Sequence, residues 1–538
     1  PTDSPFMNRS RKFAVAAALL IPALAGGFVL ESHAKGSGGA LLLDQVLSLV
    51  SDRYVDSLPP GGVYEKAATG LVRQLNDPYS QLFTPEEMKN FTTNTSGHYG
   101  GIGMQIESQN GVVTVSKVFP NTPAEAAGVI EGDQILGVDT ISTRGWSLTQ
   151  TSDYLTGTPG TKVKVRFGRP GVPQPIVVEF TRAVIHVPAV PYSLMLADHI
   201  GYIPLQQFNE TAARDVAEAA RALQKQGARS IILDERGNPG GYVDQSLQLS
   251  GMFLKAGEEI LSVRTRTGPP QVDSTEHAPE FGSVPLIVLT DGSTASAAEI
   301  VAGALQDHDR ALIVGQTSFG KGLVQSVYPL DDGYALKLTT GKWYTPSGRS
   351  IQRERKFVDG HFVPTPPDSA ENDQSKKKRP AFKSDDGRVV YGGGGITPDV
   401  IVPDDTLTTP EQQLARALAP KSPEVYVTLY AFALDLSHHL ARGFTYQPAW
   451  RGEFIKHLAA KGVDINPKLY AAAPRYLDRL IEDRVSRFVE GDSTAKRREL
   501  SDDAPLERAM QLIEKARTQQ DLFKVADALA PATPPKRP

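Results

Sequence analysis

The sequence predicts a multidomain α+β chain, with a small β-rich module upstream of an α/β core and helical regions at both ends. Three observations predict it. Between residues 97 and 182, Ile102, Met104 and Ile106 alternate with small or polar residues, and Val113, Val115 and Val118 follow. That is the period of half-buried strands. Between about 199 and 345, short apolar runs such as Ser230-Ile231-Ile232-Leu233-Asp234 alternate with helical segments, which argues for helices packed on a sheet. Residues 40–92 and 408–530 instead carry apolar residues at helical spacing. The length, 538 residues, suits about three to four domains.

Taken in order, residues 1–34 read as an export signal. Arg9, Arg11 and Lys12 precede an apolar run from Phe13 to Leu30, and Ser32-His33-Ala34 offers small residues for cleavage. The run 13–30 is also just long enough to span a bilayer, so cleavage and retention as a membrane anchor both stand. Met7 is expected as the start, with six upstream residues as an extension. Residues 36–95 form an N-terminal helical region. Leu43, Val46, Leu47 and Val50 line one helix, and Ala67, Leu71, Val72 and Leu75 another after the Pro59-Pro60-Gly61-Gly62 break. Such short helices do not form a core alone, so they are expected on a partner subunit or on the main body. A homo-oligomer, a dimer for instance, follows from the first case.

The β-module spans 96–184 and includes a short helix opening at Asn121-Thr122-Pro123. The α/β core spans 185–405. Its helices are expected at 211–226, 242–254 and 296–306, and its buried strands at 230–234 and 284–290. Within it, residues 354–395 are polar, with Lys376-Lys377-Lys378-Arg379 and four glycines from 392, and read as a flexible surface insertion. Residues 406–538 are helical: Leu477, Leu480, Ile481, Val485 and Phe488 make one apolar face, and Ala509, Met510 and Ile513 another.

Composition narrows the function. A net charge of −4 argues against a dedicated nucleic-acid binder. The absence of cysteine excludes a cysteine protease, a thiolate zinc site and any disulfide framework. No constellation of metal ligands or cofactor motif is evident; His438 and His439 are adjacent and point different ways on a helix.

Four segments carry candidate chemistry. Ser296 follows a buried strand and an Asp291-Gly292 turn and opens a helix, where free N–H groups and the dipole stabilise a developing oxyanion. By spacing alone it reads first as a simple N-cap. Lys321 lies between Gly320 and Gly322. Buried beside a serine, its pKa falls, and a neutral lysine takes the serine proton; alone, it reads as a surface lysine in a turn. Gln325 is four residues on, so on a strand it faces the same side and is placed to orient the amine. Asn238-Pro239-Gly240-Gly241 is a glycine turn after a strand, either an oxyanion donor or only a turn. Tyr99-Gly100-Gly101-Ile102-Gly103 is a loop able to capture a peptide's C-terminal carboxylate. A Ser-His-Asp triad is excluded for His308, which lies roughly 18 Å along the helix from Ser296.

Together these segments, with Gly395-Ile396-Thr397-Pro398-Asp399, stand in an order that resembles the carboxyl-terminal processing peptidases, or tail-specific proteases, over roughly residues 40–405. The resemblance implies a crotonase/ClpP-like core with a PDZ domain upstream. It implies a Ser296–Lys321 dyad with Gln325 positioning the lysine, and backbone oxyanion donors at Gly241 and Ala297. It implies a carboxylate-binding loop at Gly101, Ile102, Gly103 and Met104. Arg182 resembles the family's arginine linking PDZ to the catalytic body. The implied activity is an exported, periplasmic serine endopeptidase that reads exposed C-termini of protein or peptide substrates, without metal or cofactor. Glu235 stands where the family usually has an apolar residue. Two rival readings are a PDZ adaptor that binds C-termini without cutting and a crotonase-like acyl-CoA enzyme.

Overall fold

The computed structural model describes residues 39–529 except 60, 110–111, 170–171, 197–198, 359–360, 365–378, 404–406 and 501–502. The expected export signal at 1–34 and Lys376 to Lys378 lie outside the described residues. The chain divides into two compact units, one holding residues up to 85 with 325–339, the other 86–324 with 340–538.

In the first unit, helix α1 (39–53) and helix α2 (Gly62–Arg73) precede strand β1 (Gln81–Phe83). β1 pairs antiparallel with residues 335–337. Tyr334 donates its hydroxyl to Glu65 Oε2 at 3.2 Å, and Ser80 Oγ accepts the Thr339 N–H at 3.0 Å. α1 buries Leu47 but leaves Leu41, Leu42, Val46 and Leu49 about half exposed or more.

The second unit opens with α3 (Pro85–Ser96), then the β-module: β2 (His98–Gly101), β3 (Met104–Gln109), β4 (Val112–Val118), α4 (Pro123–Ala126), β5 (Gln134–Val138), β6 (Ile141–Ser142), α5 (Leu148–Leu155), β7 (Lys162–Gly168), β8 (Ile176–Thr181) and β9 (Ala183–His186). The antiparallel sheet runs β3-β4-β5-β7-β8, and β2 pairs with β9. Alternate residues point inward, so Val113, Val115, Val163, Val165 and Phe167 share one core. Two sequence caps start the helices: Thr122 accepts from Glu125 N–H before α4, and Ser147 with Gln150 forms a capping box before α5.

The core follows as β10 (Leu194–Leu196), β11 (Ile200–Pro204), α6 (Ala212–Lys225), β12 (Ser230–Asp234), α7 (Val243–Gly251), β13 (Glu259–Thr265), β14 (Gln271–Ser274), β15 (Leu286–Thr290), α8 (Ala297–Asp307) and β16 (Leu312–Gly315). The next strands are β17 (Leu323–Pro329), β18 (Ala335–Tyr344), β19 (Arg355–Val358), β20 (His361–Pro364), β21 (Ala381–Lys383), β22 (Val389–Tyr391) and β23 (Val400–Ile401). The main sheet has the order β10-β11-β12-β15-β16-β23, parallel except for β10. β12 and β15 are buried along their whole length, which is why they read as continuous apolar runs. Alternate residues serve opposite faces. Ile231 and Leu233 pack under α6, α7 and α8 with Phe208, Leu249, Val301 and Leu305. Ile232, Ile287, Leu289, Leu312 and Val314 face Leu506, Ala509, Leu512, Ile513 and Leu522.

The second face is thus covered by the chain's last two described helices, Ala504–Ile513 and Gln519–Leu529. The earlier helices of the C-terminal region form a core of their own around Leu414, Leu429, Phe454, Leu477 and Ile481. Arg484 from that bundle pairs with Glu131 of the β-module at 3.2 Å. Part of the segment that reads as a surface insertion is regular: β19 pairs with β20 and β21 with β22, and Val390 is buried. Asp386-Gly387 supplies the turn, with Gly387 at φ 84°.

Candidate active site

β15 ends at Thr290, and a tight loop leads to α8. Asp291 organises it by accepting the N–H groups of Ser293 and Thr294 at 2.9 Å each and that of Gly237 at 3.0 Å. Ser296 then stands immediately before α8 with φ 57° and ψ −114°. A serine there is strained by about 1–3 kcal/mol, and such strain persists only when the surroundings fix it. They do so on three sides. The Ala295 N–H donates to Asn238 O at 2.9 Å, the Ser296 N–H donates to Glu299 Oε2 at 2.8 Å, and Gly240 lies against the serine. A Cβ on Gly240 would fall 2.8 Å from Ser296 Cβ and 2.6 Å from Ala295 O, at φ 90°. Only glycine fits. Ser296 is half-buried.

The Asn238–Gly241 turn is rigid. Asn238 Nδ2 donates to Leu205 O at 2.9 Å, its Oδ1 accepts the Gly240 N–H at 2.9 Å, and Gly240 O accepts the Phe208 N–H at 3.0 Å. Among the described residues, the N–H groups of Gly241 and Ala297 have no acceptor. Two unmatched donors therefore flank Ser296 from two different elements, the turn after β12 and the first residue of α8.

Lys321 comes from a third element. The sequence suggested one strand face for Lys321 and Gln325, but β17 starts only at Leu323. Lys321 sits in the loop before it, because Gly320 takes φ 83° and Gly322 packs with its Cα beside Gln352. The lysine backbone is fixed at both ends: its N–H donates to Glu299 Oε2 at 2.8 Å, and its O accepts the Trp343 Nε1–H at 3.1 Å. Neighbouring Gly320 N–H and Ser318 Oγ–H donate to Glu299 Oε1 at 2.6 Å and 2.5 Å. Burial pushes the Glu299 pKa up, and these donors work against it. Ser318 Oγ also accepts the Ile396 N–H at 2.6 Å, so the Gly395-Ile396-Thr397 segment buttresses the lysine loop. Glu299 and Ser318 are the site residues to which the sequence reading gave no role, and Asn238, read there only as part of the glycine turn, is the side chain that holds that turn. The signal for Glu299 was present, as a Ser-x-x-Glu capping box at a helix start.

The model of peptidase family S41 matches residues 199–360, and the PDZ-domain model matches 92–167. The carboxy-terminal processing protease CtpA of Bacillus subtilis (strain 168) is 34% identical over 342 residues, which are 63% of this chain and 73% of that protein. A carboxy-terminal-processing protease of Bartonella bacilliformis is 38% identical over 315 residues, 57% of this chain and 71% of that protein. The chain belongs to peptidase family S41, the carboxy-terminal processing proteases. It is a serine peptidase with a PDZ domain. A solved structure entitled photosystem II D1 C-terminal processing protease aligns over 69% of this chain and 89% of its own, at 26% identity and a TM-score of 0.37.

The remaining predicted residues of the protease fall as follows. Gln325 belongs to the first compact unit, and its Nε2 lies 3.4 Å from Thr339 Oγ1. Gly101 ends β2, Met104 begins β3, and Gly103 between them has φ 91°, where a Cβ would meet Thr122 at 2.2 Å. The carbonyls of Ile102 and Gly103 accept from Ala124 N–H at 2.8 Å and Phe119 N–H at 3.0 Å, which fixes the loop's path. Arg182 makes its bonds inside the PDZ domain: to Tyr154 O at 2.7 Å, and to Leu155 O, Lys162 O and Thr161 Oγ1 at 3.0 Å each. It clamps the last turn of α5, whose carbonyls lack helical partners. Glu235 lies fully buried at the end of β12.

His308 caps the far end of α8 from Ser296. Its Nδ1 lies 2.8 Å from Asp385 Oδ2 and its Nε2 2.7 Å from Glu259 O. Burial disfavours the charged ring, but these two partners outweigh it and hold the His308 pKa above its ordinary value. With Glu258 and Asp385 it forms, among the described residues, a group of possible metal ligands.

Proposed function

We propose that the protease cleaves peptide bonds with a Ser296–Lys321 dyad, after its PDZ domain has docked the C-terminus of a protein substrate. Neutral Lys321 accepts the proton as Ser296 Oγ attacks the scissile carbonyl. The N–H groups of Gly241 and Ala297 receive the oxyanion, each such donor lowering the barrier by about 3 kcal/mol. As the intermediate collapses, protonated Lys321 gives its proton to the leaving amine and the C–N bond breaks; water then hydrolyses the acyl-enzyme with Lys321, neutral again, as base. The substrate's terminal carboxylate sits on the N–H groups of Gly101 to Met104, and its last residues pair with β3. The observation that carries this reading is the strained Ser296, held against the Gly240-Gly241 turn with two unmatched N–H groups beside it. A bare N-cap needs neither.

The charged N-terminus with its apolar run 13–30 supports export to the periplasm, as a cleaved or a membrane-anchored form. The exposed leucines of α1 support a homo-oligomer through the N-terminal helices.

Incubating the protein with an unstructured tail peptide tests the dyad. Ser296→Ala and Lys321→Ala each abolish cleavage and leave peptide affinity intact. Full activity in either variant sinks the dyad, and binding without cleavage in the unmodified protein favours an adaptor.

A further inference from the structure

Attack by a serine on a carbonyl requires nucleophile and base to stand within a fraction of an ångström of their working separation. Ser296 and Lys321 come from different loops, so something must set that separation. One side chain touches both backbones. Glu299, on the first turn of α8, is wholly buried. Its Oε2 accepts the Ser296 N–H and the Lys321 N–H, each at 2.8 Å. Two amides on one oxygen lie within about 5.6 Å of each other, and neither can drift without breaking a charge-assisted bond. Its Oε1 accepts Ser318 Oγ–H and Gly320 N–H at 2.5 Å and 2.6 Å.

Four donors fill the four lone-pair positions of an ionised carboxylate. A protonated acid would turn an O–H against one of them. Helix capping alone accounts for the bond to Ser296. It does not account for three further donors, all from residues 318–321. No other carboxylate among the described residues accepts hydrogen bonds from both loops.

We propose that Glu299 is a positioning residue: its carboxylate sets where nucleophile and base stand relative to each other. This rests on the Ser296–Lys321 reading above. A glutamine here keeps the shape but points its NH2 at two donors.

The test uses the full chain, a quenched-fluorescent tail peptide, and the rate at which a fluorophosphonate labels Ser296. Glu299→Gln should lower kcat about 100-fold, the scale of an ångström-sized misplacement, with KM within about twofold and labelling slowed in parallel. Ser318→Ala, which keeps the carboxylate and three donors, should lower kcat several-fold. The double variant should be no slower than Glu299→Gln, because both act through one network. Wild-type kcat in Glu299→Gln overturns the proposal, as does a loss confined to KM or a double variant whose losses multiply. Should Glu299→Gln not fold, Ser318→Ala decides: unchanged kcat overturns the proposal. Activity retained in Ser296→Ala or Lys321→Ala sinks the dyad itself, whereas dead dyad variants beside a fully active Glu299→Gln sink only this inference.

Discussion

Glu235 gives a prediction in which the sign and size both follow from burial. It stands where β12 meets the turn that carries Gly240 and Gly241. It is fully buried, and neither carboxyl oxygen has a hydrogen-bond partner among the described residues. Burial first, then the charge of Asp234, push its pKa well above the ordinary value of 4.5. An acid with a raised folded pKa keeps its proton in the native state where the unfolded chain has lost it. The unfolded state then binds fewer protons, so stability is full below pH 4.5 and falls as pH rises towards the folded pKa. Each pH unit inside that window removes up to about 1.4 kcal/mol. Below the window, the neutral carboxyl still costs about 1–3 kcal/mol as an unmatched buried group. Glu235→Met removes both costs at similar volume. In an α/β core of about 200 residues, each kcal/mol moves the midpoint by about 2–4 °C. Calorimetry at pH 5, 6.5 and 8 should show a higher midpoint for Glu235→Met at every pH, with a gap that widens as pH rises. A constant gap would mean that Glu235 does not titrate across the window. A lower midpoint would mean that the carboxyl has a favourable partner, and the reasoning fails.

Three further outcomes are expected. Gly240→Ala places a Cβ 2.6 Å from Ala295 O and 2.8 Å from Ala297 N at φ 90°, so it should reduce kcat at least about 100-fold in peptide cleavage while the protein stays folded; near-normal kcat would mean that the turn does not bear on Ser296. Arg182→Met frees the carbonyls of Tyr154 and Leu155, so it should loosen α5 and weaken binding of a C-terminal peptide, measured by calorimetry; a loss in kcat with unchanged affinity would place its action on the catalytic body instead. Asp503→Ala removes both the N-cap bond to Leu506 and one of two carboxylates on Arg236, a loss of about 2 kcal/mol, and should lower the core's midpoint by several degrees; an unchanged midpoint would separate the last helices from the catalytic fold.

What the sequence made legible, and what it hid, divides along one physical line. Conformations that a few adjacent residues impose were readable. The apolar runs of β12 and β15 could only be buried strands, the small residues around Ser296 opened a helix, and Gly240-Gly241 marked a backbone approach that the structure brings against the serine. Partners supplied by distant segments were not readable. An amphipathic pattern around Ala509 and Ile513 gives a helix an apolar face without saying what it covers, and that face closes the far side of the catalytic sheet. Residues 355–358 and 361–364, like 381–383 and 389–391, look too polar for structure, yet pair as strands, since strand pairing needs backbone partners more than apolar side chains. Lys321 and Gln325 illustrate the limit at close range. Their spacing of four would align them on a strand, but two glycines bend the chain before β17 begins, and a period-two argument holds only inside a strand. Glu299 shows both cases in one residue: its capping bond to Ser296 is written three positions apart in the sequence, while the other three donors arrive from residues 318–321. Local sequence can therefore nominate a serine, and it takes the fold to show which groups bond to its backbone.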